Sequence, residues 1–321
     1  ANGKRMANEW RIEGNKKMKI GINGTGLVQK ASVPAVRDHA IQAAKDGFAS
    51  YWLAEHPTGG FDALTVLSAV GQVVTSMELG TAIIPTHPRH PMILAGQALT
   101  VSNMMTPQLT LGIGLSHETM MAQLGIGFDK PIRHLREYLN VLMPLLREGT
   151  VNFTGATISC DAKVFRAPET HVPVLVAALG PQALRVAGAL ADGTSLAWVG
   201  PKTVKEHIAP EISAAAETAG RAAPRIIATL PVCVTDQPDV VRGVIGKNMK
   251  MYGQLPSYRA MLDREGVEGP ADVAIVGTQD EVVTGINKMR EAGVTDFAAS
   301  EFYLNPEEAQ ATRETLVSLL Q

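Results

Sequence analysis

Cysteine and aromatic residues are scarce in this chain of 321 residues. Cys160 and Cys233 are the two cysteines, and aromatic residues make up 5% of the sequence. Two cysteines cannot build a dense disulfide framework or a cysteine-rich metal cluster, which is typical of proteins from a reducing cytoplasm. A single disulfide between them is still compatible with the sequence.

Charge of one sign and long apolar runs are also lacking. The chain has 29 basic and 31 acidic residues, a formal net charge of −2. No general electrostatic attraction to nucleic acid or to an anionic membrane is therefore expected. No apolar run reaches the ~18 residues that a membrane-spanning helix needs. We expect a cytoplasmic protein that binds a small organic molecule, with neither nucleic acid nor membrane as a partner.

The first 17 residues differ from the rest of the chain. They show neither helical nor strand periodicity and precede Met18. We expect residues 1–17 to be a disordered extension or an added leader. Residues 18–321, in a chain with 45% hydrophobic residues, are predicted to form a single domain.

From Met18 onward, short apolar runs alternate with longer runs of helical spacing, a pattern typical of βα units around a parallel sheet. Eight such units in about 300 residues favour a (β/α)8 TIM barrel, with an open doubly wound sheet as the alternative. The predicted strands are Met18–Asn23, Ser50–Ala54, Glu78–Ile84, Leu109–Gly114, Val174–Ala178, Gly193–Trp198, Ile226–Val234 and Thr295–Ser300.

Three long connections interrupt this rhythm, and such insertions often act as lids. They follow the fourth strand (115–130), the fourth helix (149–171) and the seventh strand (about 235–273). The middle one alternates enough to predict a β-hairpin. The last helix is predicted to begin with a capping box, Thr278 and Glu281, and to end at Gly293.

The segment Val172–Gly193 reads as a buried strand, a sharp turn and a helix. Backbone N–H groups in the first turn of a helix have no partners within the helix, and the helix dipole adds positive potential there. Leu179, Gly180, Pro181 and Gln182 are therefore candidates for holding a phosphate group. On these residues alone, an ordinary turn without a ligand is an equal alternative.

Polar residues cluster just after several predicted strands, where the active site of such a barrel would lie. A histidine beside a carboxylate, as in Glu55-His56, suits acid and base chemistry near neutral pH. His117 is a second candidate. Trp198, His87 and Glu301 are candidates for lining the substrate pocket. The alternative for Glu55 or His56 taken singly is a solvated loop residue, and the alternative for Trp198 is core packing.

A metal site is not expected. His87, His90 and His117 match no compact zinc signature, and no HExxH or CxxC motif accompanies them. The sequence also lacks a phosphate-binding P-loop and a GxSxG nucleophile elbow. No predicted strand ends in the lysine that a Schiff-base lyase would need.

The chain resembles the luciferase-like flavin and deazaflavin oxidoreductases, especially the branch that uses the deazaflavin coenzyme F420. The resemblance covers Met18 to about Leu320. It rests on the ordered combination of KIGIN, LAEH, LGTAIIPTHPRHPMILAGQALT, LTLGIGLSH, VPVLVAALGPQALRVAGALADG and AGVTDF.

This resemblance implies a bacterial luciferase-like barrel that binds the tricyclic ring at its carboxyl-terminal mouth. It places a non-prolyl cis peptide near Ala82-Ile83, behind the ring. Gly114, Leu115 and Ser116 would lie beside the ring, and Leu179 to Gln182 would bind the phosphate. Glu55 and His56 match the acidic-His pair at the reactive edge of the coenzyme. Family members are often dimers, so a homodimer is expected.

The implied function is hydride transfer between coenzyme F420 and an organic substrate. His56 would donate or accept the proton, Glu55 would orient or tune His56, and His117 is the second candidate for this role. The family's sugar-phosphate dehydrogenases carry a glutamate at the position of His117 and a tryptophan where this chain has Thr58-Gly59-Gly60, so a different substrate is expected. The alternatives are an FMN-dependent monooxygenase on the same fold and, more remotely, a deazaflavin-binding protein without catalysis.

Overall fold

The computed structural model describes residues 18–30, 32–57, 59–165 and 169–320. The predicted extension over residues 1–17 lies outside the described residues, as does Thr58.

Eight parallel strands close into a barrel. The first strand pairs with the second on one side and with the eighth on the other, with Lys19 opposite Asp296 and Ile22 opposite Ala299. The predicted (β/α)8 barrel is confirmed, and the open-sheet alternative is wrong. The barrel strands are β1 (Lys19–Asn23), β2 (Ser50–Leu53), β3 (Glu78–Thr81), β4 (Leu109–Gly114), β5 (Val174–Val176), β6 (Gly193–Ala197), β7 (Arg225–Thr229) and β8 (Asp296–Glu301).

The third predicted strand is divided in two. β3 ends at Thr81, the Ala82–Ile83 peptide is cis, and a two-residue strand, Ile84–Pro85, resumes pairing with β4. The cis peptide lies where the family resemblance placed it, which confirms that expectation. The break is not visible in the sequence, because the apolar residues Ala82, Ile83 and Ile84 continue the pattern of the strand through it.

The seventh predicted strand is also divided. β7 ends at Thr229, and a second strand, Pro231–Val234, pairs with the end of β8 and with Ile275–Gly277. The sequence did not predict Ile275–Gly277, because three residues are too few for a periodic pattern.

The barrel interior is filled by a small apolar cluster from several strands. Trp52 is fully buried there, and Gly80 leaves room for it, since a Cβ atom at residue 80 would lie 2.1 Å from the indole ring. The barrel is therefore a packed core and not a pore. The other members of the cluster are Leu175, Ile227 and Ala298, with Ala82 against them.

Charged residues hold the amino-terminal end of the barrel together. Arg225 on β7 binds Glu78 on β3 at 2.8 Å and Asp296 on β8 at 2.7 Å. Although burial opposes it, these two carboxylates raise the pKa of Arg225 above its ordinary value. This end of the barrel is bound by ion pairs, opposite the mouth where polar loops gather.

The helices lie between the strands and supply the insertions. None of those in the described ranges has both the length and the apolar character of a membrane span. They are α1 (Thr25–Lys30), α2 (Val33–Lys45), α3 (Ala63–Gly71), α4 (Pro91–Met104), α5 (Glu118–Gln123), α6 (Pro131–Arg147), α7 (Pro181–Leu190), α8 (Pro201–Thr203), α9 (Ala209–Thr218), α10 (Pro238–Asn248), α11 (Pro256–Glu265), α12 (Gln279–Glu291) and α13 (Pro306–Ser318). A π-helical turn, Val204–Ile208, joins α8 to α9.

The structure confirms the capping box of α12. Thr278 and Glu281 bind each other's backbone N–H groups, and Gly293 follows the helix with φ at +104°. The hairpin is confirmed as well, with strands Thr150–Thr154 and Ser159–Lys163.

The insertion after β7 is not an irregular loop. It contains α10, α11 and a short 3-10 helix, Pro270–Val273. These helices were not predicted, because α10 and α11 each bury just two residues and have no long apolar face.

Candidate active site

The loop after β2 is attached to the cis-peptide bulge. The backbone N–H of Glu55 donates to the carbonyl of Ile83 at 3.0 Å, and the N–H of Ala82 donates to Leu53 at 2.8 Å. The predicted acidic-His pair therefore starts from a fixed position at the mouth of the barrel, directly beside the bulge.

Arg89 binds the carboxylate of Glu55. The distance from Arg89 Nη1 to Glu55 Oε1 is 2.7 Å, and the other guanidinium nitrogen binds Asp62. Asp62 also caps α3 through the N–H of Thr65. Although burial alone would raise it, the pKa of Asp62 is lowered by the bonds from Thr65 and by the charge of Arg89. Glu55 thus belongs to an ion-pair cluster that fixes the β2–α3 loop.

In the structure, His56 and His117 lie close enough to interact electrostatically. Burial, and then the proximity of His56, hold the pKa of His117 below its ordinary value. His117 occupies the N-cap position of α5, and its ring lies 5.6 Å from that of Tyr258. The mouth therefore contains one imidazole that is neutral at pH 7 beside a second one, a pair suited to moving a proton.

The segment predicted to lie beside the ring is closely fitted to the bulge. A Cβ atom at Gly114 would lie 3.0 Å from Ile83 and 3.1 Å from Ala177. Ser116 has φ at +62°, an uncommon conformation for a residue other than glycine. Such outliers often occur at functional sites, and this one follows a barrel strand at its carboxyl end.

His87 lies in a stack of aromatic rings. Its ring centroid is 3.9 Å from that of His134 and 4.9 Å from that of Phe128. Burial lowers the pKa of His87, and burial with the neighbouring His87 lowers the pKa of His134 to about 4. Both rings are neutral at pH 7. The Nδ1 atom of His87 is buried and has no hydrogen-bond partner among the described residues.

The histidines considered for a metal site have separate positions. His90 accepts the backbone N–H of Met92 at the start of α4, His87 stacks on His134, and His117 lies against Tyr258. Among the described residues, no group of histidine, cysteine or carboxylate side chains could hold a metal ion.

The turn after β5 has an open helix end. Gly180 is the N-cap of α7, no side chain in the described structure caps it, and a Cβ atom there would meet nothing within 4 Å. His207 binds the carbonyl of Leu179 at 2.8 Å and so fixes the entry to the turn. Free N–H groups and open space suit a phosphate at Pro181 and Gln182.

Of the three predicted pocket residues, the structure places Trp198 and His87 at the mouth and Glu301 elsewhere. The carboxylate of Glu301 binds Arg313 on α13 at 2.7 Å and His39 on α2 at 3.1 Å. It therefore lies in the helical layer outside the barrel. Neither partner could be assigned from sequence, because each lies in a helix remote from the strand end.

Two residues of the mouth were missed as site residues. Arg89 was noted only as part of a polar run, and Tyr258 only as part of the late insertion. Their roles depend on contacts with Glu55, 34 positions away, and with His117. No local spacing could reveal such contacts.

Comparison with known proteins decides the family. The family model for luciferase-like monooxygenases matches residues 21–296, well over half of the chain. The chain belongs to this family.

Two curated relatives are named for coenzyme F420 or for a methanopterin compound. An F420-dependent glucose-6-phosphate dehydrogenase from Microbacterium testaceum is 27% identical over 215 residues, which cover 63% of this chain and 64% of that protein. The matched stretch is thus less than two thirds of that relative. A 5,10-methylenetetrahydromethanopterin reductase from Methanolobus tindarius is 22% identical over 304 residues, 86% of this chain and 93% of that protein.

Solved structures show the same luciferase-like fold. The coenzyme F420-dependent tetrahydromethanopterin reductase from Methanopyrus kandleri has a TM-score of 0.77 at 20% identity, covering 95% of this chain and 98% of that one. The oxygenating constituent of 3,6-diketocamphane monooxygenase from Pseudomonas putida, in complex with FMN, has a TM-score of 0.72 at 16% identity, covering 95% and 99%.

Proposed function

We propose that the protein is a coenzyme F420-dependent oxidoreductase that transfers a hydride between the deazaflavin and an organic substrate. The observation that carries this proposal is the pairing of an open helix end at Gly180 with the His56–His117 pair at the same mouth. The F420-dependent relatives support it.

The residues at the mouth fit such a coenzyme. The uncapped start of α7 offers backbone donors and open space for a phosphate. Ile83 and Ala177 pack tightly beside Gly114, so that a Cβ atom there would lie about 3.0–3.1 Å from them, and the ring would lie along this closely packed segment. Leu115 and Ser116 continue this segment. When bound, the deazaflavin supplies two-electron hydride chemistry.

The chain's own residues position the substrate and move a proton. His56 gives a proton to the substrate oxygen or nitrogen, or takes one from it. His117, held neutral by burial and by His56, accepts a hydrogen bond or relays the proton. Glu55 and Arg89 keep the loop that carries His56 in place.

An FMN-dependent monooxygenase is the second candidate, favoured by the FMN complex on the same fold. The start of α7 would serve equally for the single phosphate of FMN. A deazaflavin-binding protein without catalysis is a third, remote alternative.

Fluorescence titration of the purified protein with coenzyme F420 and with FMN separates these candidates. We expect tight binding of F420 and exchange of hydride with an organic acceptor. Tight binding of FMN alone, with oxygen uptake in the presence of reduced FMN, would overturn the proposal in favour of the monooxygenase. Tight F420 binding without any hydride exchange would favour the non-catalytic protein.

We also propose that the protein acts as a cytoplasmic homodimer. Two free cysteines are compatible with a reducing compartment. Ile93 and Met104, about three turns apart on α4, are 59% and 52% exposed, and the neighbouring Val73 is 52% exposed. Such a face can pair with its own copy around a two-fold axis. Light scattering should give a dimer mass that Met104→Lys reduces to that of a monomer.

A further inference from the structure

Three aromatic residues form a continuous wall across the mouth, which we name the aromatic panel: Trp198, Tyr252 and Tyr258. The rings of Trp198 and Tyr252 are 5.6 Å apart, and those of Tyr252 and Tyr258 are 5.3 Å apart. Tyr258 then reaches His117 at 5.6 Å. The panel therefore extends from the end of β6 to the histidine pair.

Trp198 has an unfavourable backbone conformation. Its φ is +60°, which is rare for a bulky residue and persists only where the surroundings enforce it. It occurs at the carboxyl end of β6, where catalytic and binding residues of such barrels lie. Residues in such conformations cluster at active sites and ligand-binding sites.

In the described part of the chain, the indole N–H of Trp198 and the hydroxyl groups of Tyr252 and Tyr258 make no hydrogen bonds within the protein. All three side chains are half-buried. Donors of this kind normally find a partner when a site is filled.

The insertion that carries the panel is fixed to the barrel. Glu265, the last residue of α11, accepts the backbone N–H groups of Lys202 at 3.1 Å and Thr203 at 2.7 Å. The hydroxyl of Thr203 donates to the carbonyl of Met261 at 3.2 Å. Tyr258 on α11 is thereby tied to the loop that contains Trp198, so the panel is preorganised.

From these observations we infer that the aromatic panel is the substrate-binding wall, and that the substrate is a planar conjugated carbonyl compound. This inference rests on the proposed F420-dependent function. The panel carries no charge, which disfavours a phosphorylated substrate, and its rings, inclined at 34° and 82° to one another, offer a face and edges to a flat ring. The carbonyl oxygen itself is left to His56, and the panel binds the ring.

The reaction balances with the reduced coenzyme as hydride donor. The carbonyl carbon of the substrate gains the hydride while the C=O π bond breaks, and the oxygen gains a proton from His56. The substrate is reduced by two electrons, and the coenzyme is oxidised by the same two. The second hydrogen of the reduced coenzyme leaves as a proton to solvent, and His56 takes one back from solvent.

Two methyl ketones provide matched probes, since they share the reacting carbonyl and differ in the ring. These are 2-acetonaphthone, which is planar and aromatic, and acetone. Equilibrium dialysis measures binding of each to the protein loaded with oxidised coenzyme, and kcat/KM with reduced coenzyme is measured in parallel. The wild type should bind 2-acetonaphthone at least tenfold more tightly than acetone.

The substitutions Trp198→Leu, Tyr252→Leu and Tyr258→Leu should each weaken binding of 2-acetonaphthone about tenfold and change acetone less than threefold. Tyr258→Phe keeps the ring and should retain most of the affinity. Phe165→Leu is the control, because Phe165 is an exposed aromatic residue next to the hairpin. The hairpin joins the end of α6 to the start of β5 and so lies at the end of the barrel opposite the mouth. Binding data from a variant are interpreted only if its circular dichroism spectrum and its coenzyme affinity match those of the wild type. Because three Leu variants are made, the test still holds if one of them fails to fold.

Equal losses for both ketones, or no preference for 2-acetonaphthone in the wild type, would overturn the inference. A wild-type protein that binds no F420 would instead overturn the proposed function. The fluorescence titration distinguishes these two failures.

Discussion

At the scale of single residues, Arg89 determines how the mouth is arranged. Its guanidinium joins Glu55 after β2 to Asp62 at the start of α3. The side chains of Arg89 and Glu55 are 18% and 15% exposed, so the pair is well shielded from water. The loop between these carboxylates carries His56, and its position therefore depends on a cation in the turn that precedes α4.

Replacement of Arg89 by Ala should lower the free energy of unfolding by about 2 kcal/mol, because two nearby carboxylates lose their counter-ion. Turnover should fall as His56 moves. Denaturant unfolding measures the first effect and steady-state kinetics the second. In the Arg89→Ala background, Glu55→Gln should recover part of the lost stability, and purely additive effects would show that the two residues are not coupled.

Replacement of His56 by Ala should lower kcat by about 10²–10⁴-fold, the usual contribution of a general acid or base. Affinity for the coenzyme should stay within a few-fold of wild type. With His56 removed, the pKa of His117 should rise toward its ordinary value, since one of the two causes of its depression is gone. NMR titration of the His117 ring checks this shift, and unchanged turnover would show that His56 is not the proton carrier.

At the scale of elements, the sequence predicted those parts of the fold that have strong periodicity or a local capping pattern. β4 (Leu109–Gly114) and the capping box of α12 match their predictions. The break at Ala82–Ile83 was expected only through the family resemblance. The side chains that complete the site, Arg89 and Tyr258, could not be predicted because their partners are distant in sequence and meet only after the barrel closes.

The start of α7 offers a test of the phosphate site. Gly180 has φ at −77°, and a Cβ atom there meets no atom within 4 Å, so a side chain is tolerated. Gly180→Asp would place a carboxylate on the free N–H groups, and we expect unchanged or slightly higher stability but at least tenfold weaker coenzyme binding. Gly180→Ala, the control, should bind the coenzyme nearly as well as wild type.

The hairpin depends on one carboxylate of α6. Glu137 accepts the backbone N–H groups of Ala156, Thr157 and Ile158, and these bonds, with the Thr157 hydroxyl, lower its pKa to about 2 against the opposing effect of burial.

Because this pKa is below its unfolded value, the stabilising contribution of Glu137 is full above about pH 4.5 and is lost as the pH falls toward 2. Glu137→Gln should cost about 2 kcal/mol at pH 7. Thermal unfolding between pH 7 and pH 3.5 measures the stability difference between wild type and Glu137→Gln, and this difference should be smaller at pH 3.5 than at pH 7. A constant difference would contradict the assignment.

At the scale of the whole molecule, the ion pairs that stabilise the barrel and the residues of the candidate active site lie at opposite ends of the barrel. The ion pairs of Arg225 with Glu78 and Asp296 lie at the amino-terminal end. The histidines, the cis-peptide bulge, the start of α7 and the aromatic panel lie at the carboxyl-terminal mouth. Changes at one end should leave the other unaffected.

Arg225→Met should lower the free energy of unfolding by about 3 kcal/mol, because two shielded carboxylates lose their partner. Coenzyme affinity should not change. Arg37→Met is the matched control, since its pair with Asp38 is exposed and should contribute less than about 1 kcal/mol. Denaturant unfolding and fluorescence titration test both statements, and a marked loss of coenzyme affinity in Arg225→Met would contradict the division between the two ends.

The fit between Gly200 and Glu265 has a consequence for how this family can diversify. A Cβ atom at residue 200 would lie 2.3 Å from the carboxyl carbon of Glu265, which is held by two backbone N–H groups. Sequence drift at either position is therefore constrained by the other. Across relatives that keep this insertion, glutamate at the second position should co-vary with glycine at the first.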